Sequence, residues 1–258
     1  AIITSISREH WQGLGPTLAD IAGEKAGILK PGCPAVIGPL LPEAKMVFEN
    51  RIRDLGCLAI FPEAARELRT AEAQRTQRWV EYLGIEYPLP LGGDFQRMNS
   101  ALAIASLQLL VKQGWKISPE AIASGMAKTK WPGRLQWTTW RNHKLLMDGA
   151  HNPAAAQVLR QYVDTLNTSS IQNPTSWVMG ILSTKDHADI FKALLRAGDR
   201  LFLVPVPDHS SAEPQQLAML AQSICPDLAD CRTYPDLITG LDAAFNTSEH
   251  LTVLCGSL

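Results

Sequence analysis

The stretch Lys144-Leu145-Leu146-Met147-Asp148-Gly149-Ala150-His151-Asn152-Pro153 joins an apolar run to an acid, a turn and a helix start. Leu145, Leu146 and Met147 suit a strand buried on both faces, as in parallel sheets. Asp148 then falls at the strand's carboxyl end, where open α/β sheets carry their ligand chemistry. Asn152 is a good helix N-cap and Pro153 fits the first helical turn. The same residues also read as a solvated acid and histidine in an ordinary strand-to-helix loop. The rest of the chain decides between the two.

Outward from this stretch, the second half alternates strands and helices. Strands are expected at 135–140, 144–148, 177–182, 200–206, 232–234 and 251–255. Helices are expected at 153–166, 186–195, 214–224 and 236–245. That order predicts a mostly parallel, doubly wound domain opened by a hairpin. Trp131-Pro132-Gly133-Arg134 supplies a rigid turn between a helical stretch and this fresh set of strands, so domains are expected at 1–134 and 135–258. The first half begins with a β-branched run, 2–6, and a loop over 7–15. A helical segment from Pro16-Thr17 to Ile28, a strand at 35–37, a helix at 42–55 closed by Gly56, and a strand at 57–61 follow. A hairpin around Gly84, a long apolar helix over 95–113 and a shorter helix from Ser118-Pro119 to Lys128 complete it. This half also reads as α/β with a parallel sheet.

A length of 258 residues, 46% of them hydrophobic, gives ample material for real cores. A formal net charge of -1 and the lack of any basic block argue against nucleic-acid binding or an electrostatic membrane-surface role. No apolar run approaches membrane-spanning length. Cys33, Cys57, Cys225, Cys231 and Cys255 are scattered without a C-x-x-C pair, which indicates neither a disulfide framework nor a zinc site and favours a reducing, cytoplasmic location. Ala1 leads straight into a strand with no signal sequence, and Leu258 follows a strand directly. The chain is therefore expected to be an internal piece of something longer.

Common motifs are missing: G-x-x-x-x-G-K-[ST], G-x-G-x-x-G, H-E-x-x-H and G-x-S-x-G do not occur. His10, past the end of the first strand, is placed for a metal or phosphate, although a loop histidine is more often simply exposed. Gly23 and Gly27 flank Glu24-Lys25, and two glycines in a helix cost about 1 kcal/mol each relative to alanine. Close packing or a ligand would account for them, and the plain alternative is a solvated Glu–Lys pair. Gly92-Gly93-Asp94 opens a helix carrying Gln96, Arg97 and Asn99. It reads either as a nucleotide-holding N-terminus or as simple capping by Asp94. Arg134 is placed to reach an anion from the junction.

In this order, the stretches resemble the folylpolyglutamate synthase / dihydrofolate synthase family of the Mur ligase superfamily. They are Ile3-Thr4-Ser5-Ile6 through His10, Leu14-Gly15-Pro16-Thr17, Ile21 through Ile28 with Lys30-Pro31-Gly32, Gln96 through Asn99, Trp131 through Arg134, Asp148 through Pro153, Lys185-Asp186 and Gly256-Ser257-Leu258. The resemblance implies an incomplete P-loop-type ATP-binding domain followed by a Rossmann-like C-terminal domain. It implies an ATP-dependent ligase that converts a folate or dihydropteroate carboxylate to an acyl phosphate and joins it to L-glutamate. It further implies that His10 is a magnesium (Mg2+) ligand and that Lys25 takes up carbon dioxide as a carbamate, serving both metal and catalysis. Asn99, Arg134 and Asp148 would contact ATP, and His151 and Ser257 would lie near the glutamate, with His151 also catalytic. The enzyme is expected to be a monomer.

Three departures accompany the resemblance. The family's phosphate loop and first glutamate ligand lie upstream of Ala1, so the chain as it stands is expected not to turn over. Phe95-Gln96 replaces the common His-Gln, and Glu9 stands where aspartate is usual. A peptidoglycan ligase of the Mur type and a non-catalytic Rossmann-like remnant are the alternatives.

Overall fold

The computed structural model describes residues 1–9, 11–68, 78–166, 174–247 and 251–257. The chain divides into two compact units, Ala1–Lys130 and Trp131–Leu258, so Arg134 lies in the second.

In the first unit, three short strands, β1 (Ile2–Ile3), β2 (Ala35–Ile37) and β3 (Ala59–Ile60), form a parallel sheet in that order. Strands were expected over 2–6 and 57–61, and only these shorter pieces keep the ladder. A single helical turn, α1 (Trp11–Leu14), stands inside the expected 7–15 loop. One turn is too short to display a periodicity, but Trp11 and Leu14 pack against the core. Helix α2 (Leu18–Ala26) opens on a reciprocal cap: the Asp20 amide donates to Thr17 Oγ1 at 3.1 Å and the Thr17 amide to Asp20 Oδ2 at 3.0 Å. It ends two residues before Ile28. A Cβ on Gly23 would meet nothing, so close packing does not explain that glycine.

Helix α3 (Pro42–Leu55) ends on left-handed Gly56 and buries Ala44 and Phe48 toward the sheet core. A second, antiparallel sheet joins β4 (Arg66–Leu68), β5 (Trp79–Tyr82) and β6 (Ile85–Pro88). The expected hairpin around Gly84 is β5–β6, turned by Leu83 and Gly84 at φ 52° and 75°. Strand β4 was not foreseen. Its charged Arg66-Glu67 carries no alternation, and its pairing with β5 is long-range. Helices α4 (Phe95–Lys112) and α5 (Pro119–Ala127) complete the unit.

The second unit is one six-stranded sheet: β7 (Gln136–Trp140), β8 (His143–Asp148), β9 (Ser176–Gly180), β10 (Arg200–Leu203), β11 (Asp230–Thr233) and β12 (Thr252–Gly256). Its order is β11-β10-β9-β12-β8-β7, parallel except for the edge hairpin β7–β8. Helices α6 (Pro153–Leu166), α7 (His187–Leu194), α8 (Pro214–Ile224) and α9 (Leu237–Thr247) make the crossovers. Every residue of β9 and β12 is buried, which is why both read as apolar runs after their opening Ser176 and Thr252.

Helix α6 buries Ala156, Leu159, Arg160 and Val163, one face at helical spacing. The arginine on that face is tolerated because it is fully paired. Its Nη1 donates to Asp199 Oδ2 at 2.7 Å and its Nε to Asp164 at 2.8 Å. Asp199 also accepts the Trp177 indole and the Thr175 and Arg196 amides, each at 3.0 Å. One carboxylate thereby ties α6 to β9 and to the start of β10.

Candidate active site

Topology sets the site. From β9 the chain steps outward through β10 and β11, then returns to insert β12 between β9 and β8. The carboxyl ends of three parallel strands therefore stand side by side, at Asp148, Gly180 and Gly256. Gly256 is at φ 111° in register with Gly180, and a Cβ there would run into the Gly180 carbonyl oxygen. Only glycine lets β12 end this close to its neighbour. The crevice outside these ends is a cavity of about 510 Å³. Its lining includes Gly133, Arg134, His151, Lys185 and Ser257, and all of it belongs to the second unit.

The stretch 144–153 folds as its sequence indicates. Leu145 and Leu146 are buried in β8, Asp148 ends the strand, and Asn152 caps α6 by accepting the Ala155 amide at 2.8 Å. Asp148 itself is 7% exposed. Its Oδ2 accepts the Leu135 amide at 2.9 Å. Burial holds its pKa above the usual carboxylate range, opposed by the Leu135 bond and by the charge of Arg134. Cys255, opposite Asp148 in the ladder, is buried, and that burial together with the aspartate pushes its thiol far up. It is an inert core thiol.

The turn before β7 is knotted to the end of β8. The Gly149 amide donates to the Gly133 carbonyl at 2.8 Å, and the Gly133 amide donates to Gln136 Oε1 at 2.9 Å. Arg134 is thus brought over Gly149, where a Cβ would lie 2.7 Å from its Nη1. His151 Nδ1 lies 2.7 Å from the Gly149 carbonyl. A carbonyl only accepts, so Nδ1 is the donor in this contact. The Ser257 amide donates to the Gly180 carbonyl at 2.8 Å, and its Oγ accepts the Leu182 amide at 3.3 Å.

Four of the residues singled out in the sequence, Arg134, Asp148, His151 and Ser257, therefore gather at one end of one sheet. Sequence reasoning missed Gln136 and Gly133 as the supports of Arg134. Their signal was only the spacing of a glycine and a glutamine three residues apart.

Lys25 and Asn99 belong to the first unit, on different helices. Lys25 is half-buried in the last turn of α2. Asn99, exposed on α4, donates to Gln96 Oε1 at 2.9 Å. Asp94 makes no side-chain cap for α4, contrary to the capping reading. Its carboxylate is taken by Arg78 at 2.6 Å and Arg97 at 2.8 Å, and the bond from Arg97 holds it below the usual range. His10 lies outside the described residues. Among the described residues no cluster of three or more histidine, cysteine, aspartate or glutamate side chains is set to hold a metal. Those side chains do not by themselves fit a magnesium site. No described helix is long and apolar enough to cross a membrane.

A cavity outside the strand ends of a doubly wound sheet, with Arg134, His151, Lys185 and Ser257 among its lining residues, is the arrangement of an α/β ligand-binding enzyme domain. A family model described as dihydrofolate synthetase, C-terminal domain, matches residues 134–258. The folylpolyglutamate synthase of Lacticaseibacillus casei is 31% identical over 224 residues, 83% of this chain and 50% of that protein. The solved folylpolyglutamate synthase of Mycobacterium tuberculosis, complexed with ADP and AMPPCP, matches 99% of this chain and 60% of its own at 25% identity and a TM-score of 0.81. Escherichia coli FolC in complex with DHPP and ADP matches 99% of this chain and 58% of its own, at 26% identity and a TM-score of 0.77. The chain belongs to the folylpolyglutamate synthase / dihydrofolate synthase family. It spans about half to three fifths of the length of these relatives.

Proposed function

We propose that this chain supplies the glutamate-side wall of an ATP-dependent ligase that forms an amide bond between L-glutamate and the carboxylate of a folate or dihydropteroate, by way of an acyl phosphate. The observation that carries the reading is the convergence of Arg134, His151, Lys185 and Ser257 on one cavity at the carboxyl ends of β8, β9 and β12. Arg134 offers a guanidinium to ATP phosphate oxygens, a group suited to bidentate contact. Asp148, behind it, sets the turn that aims Arg134 and stands at the nucleotide edge. His151 is assigned to the incoming glutamate as a catalytic group, and Ser257, in the lining of the same cavity, to the substrate's polar groups. The ADP complexes of the Mycobacterium tuberculosis and Escherichia coli relatives support the nucleotide half of this reading.

In the first unit, Asn99 is assigned to ATP and Lys25 to a carbamate. A carbamate turns a cation into an anion, and so would bring the oxygen donors for magnesium that the described side chains lack. His10 is assigned to the same ion. Turnover belongs to a protein that also carries a phosphate-binding loop, a motif not found in these 258 residues. The names of the relatives favour the folate branch over a peptidoglycan ligase.

The test is ATP-dependent incorporation of labelled glutamate by the full-length gene product, with dihydropteroate and with a reduced folate. ADP release with either pterin supports the reading, and none with either overturns it. Activity of Lys25→Ala unchanged as bicarbonate is varied would remove the carbamate.

A further inference from the structure

Two of the chain's cysteines each lie two residues before a strand of the first unit's parallel sheet, Cys33 before β2 and Cys57 before β3. Strands β2 and β3 pair Ala35 with Ala59 and Val36 with Ile60, an offset of 24 residues. Carried back two residues, the same offset sets Cys33 opposite Cys57. The backbone is tied on both sides of Cys33: the Gly32 amide donates to the Leu55 carbonyl at 3.2 Å, and the Ala35 amide to the Leu58 carbonyl at 2.8 Å. Both cysteines also reach one atom. The Cys33 amide and the Cys57 thiol each donate to the Lys30 carbonyl oxygen, at 3.1 Å.

Neighbouring strands lie about 4.8 Å apart. That is inside the roughly 4.4–6.8 Å Cα separation that a disulfide spans. The turn that delivers Cys33 is Lys30-Pro31-Gly32-Cys33, with Gly32 at φ 67°. Cys33 is exposed and Cys57 half-buried, so an oxidant reaches the first and the second resolves. The remaining thiols differ. Burial raises the pKa of Cys225, takes that of Cys231 to about 11 and pushes Cys255 far up. Such thiols stay protonated and react slowly.

We propose that Cys33 and Cys57 are a reversible dithiol–disulfide pair, formed by exchange with a small-molecule disulfide such as oxidised glutathione. The Cys33 thiolate attacks one glutathione sulfur, forming a mixed disulfide and releasing one reduced glutathione. The Cys57 thiolate then attacks the Cys33 sulfur and expels the second. The two protein thiols are oxidised, one glutathione disulfide is reduced to two thiols, and two protons leave the protein. The bridge pins the segment that follows α2, the helix of Lys25, to the start of β3.

The experiment exposes the folded chain to oxidised glutathione, alkylates the remaining thiols and maps the peptides by mass spectrometry without reduction. The expected result is a linked Cys33–Cys57 peptide two hydrogens lighter than its reduced parts, with two of the five thiols lost to alkylation and restored by dithiothreitol. Cys57→Ser should trap glutathione on Cys33, and Cys33→Ser should give no bridge. A glutathione adduct without a bridge in the unsubstituted chain, a bridge to Cys225 or Cys231, or five free thiols would each overturn the proposal.

Discussion

The Asp148 carboxylate accepts the amide hydrogen of Leu135 at 2.9 Å, and Leu135 is held in the left-handed region at φ 43°. A branched residue there costs about 1–2 kcal/mol. The bond offsets that cost and fixes the turn that directs Arg134. Asp148→Ala leaves a buried amide without its acceptor, so the second unit should lose about 1–3 kcal/mol in urea unfolding. Asp148→Asn keeps an acceptor oxygen and should lose less. Equal losses for the two variants would show that the Leu135 bond contributes nothing.

The pH dependence of the same carboxylate has a definite sign. Burial raises the folded pKa of Asp148, so the folded state holds the proton more tightly than the unfolded state. Its stabilising contribution is complete below the unfolded value, about 3.9, and is lost as pH rises through the raised folded value. Asp148→Asn carries no such loss. Its stability relative to the unsubstituted chain should therefore grow with pH across that window, measured by urea midpoints from acid to neutral pH. A difference that stays flat would contradict a raised pKa.

Two glycines of the cavity should separate stability from binding. At Gly256 an added Cβ meets the Gly180 carbonyl and requires a left-handed backbone, so Gly256→Ala should cost about 2–4 kcal/mol. At Gly149 the added Cβ crowds the end of the Arg134 side chain, 2.7 Å away, and meets the Gly133 carbonyl only at an ordinary 3.6 Å. Gly149→Ala should cost under about 1 kcal/mol and, under the proposed assignment of Arg134 to the nucleotide, weaken ADP binding by the full-length gene product about tenfold, or about 1.4 kcal/mol. Calorimetric titration of both variants, read beside their unfolding curves, checks the pair.

How much of this was legible in the sequence differs between the two units. The run 144–153 announced a buried strand, an acid at its end and a capped helix, and all three are present, because strand burial and Asn–Pro capping are local signals. Helices α3 and α8 have the bounds that their periodicity and flanking prolines indicate. Strand β4 was invisible because its partner lies elsewhere in the chain, and the capping alternative for Asp94 fails because its ion pair with Arg78 is a tertiary contact. The cavity could be inferred only in outline. Gln136 and the Gly133 carbonyl matter through the fold of one turn, which composition does not encode.

The buried pair Arg160–Asp199 gives the largest stability effect expected in the second unit. Both side chains are almost wholly buried, and Asp199 accepts bonds from Arg160, Trp177, Thr175 and Arg196 at once. Asp199→Ala leaves Arg160 Nη1, an indole and two amides without their shared acceptor in the core, and removing one partner of a buried ion pair costs about 3–5 kcal/mol. Asp199→Asn keeps the size and one acceptor but removes the charge, and its loss should fall between that of alanine and none. Arg160→Met fills similar volume without a charge, yet leaves the buried Asp199 carboxylate without its arginine, so it too should destabilise. The double variant Arg160→Met, Asp199→Asn should recover part of either single loss, since no uncompensated charge remains. Urea unfolding of the three variants checks this cycle, and strictly additive losses would show that the pair acts through packing rather than through charge.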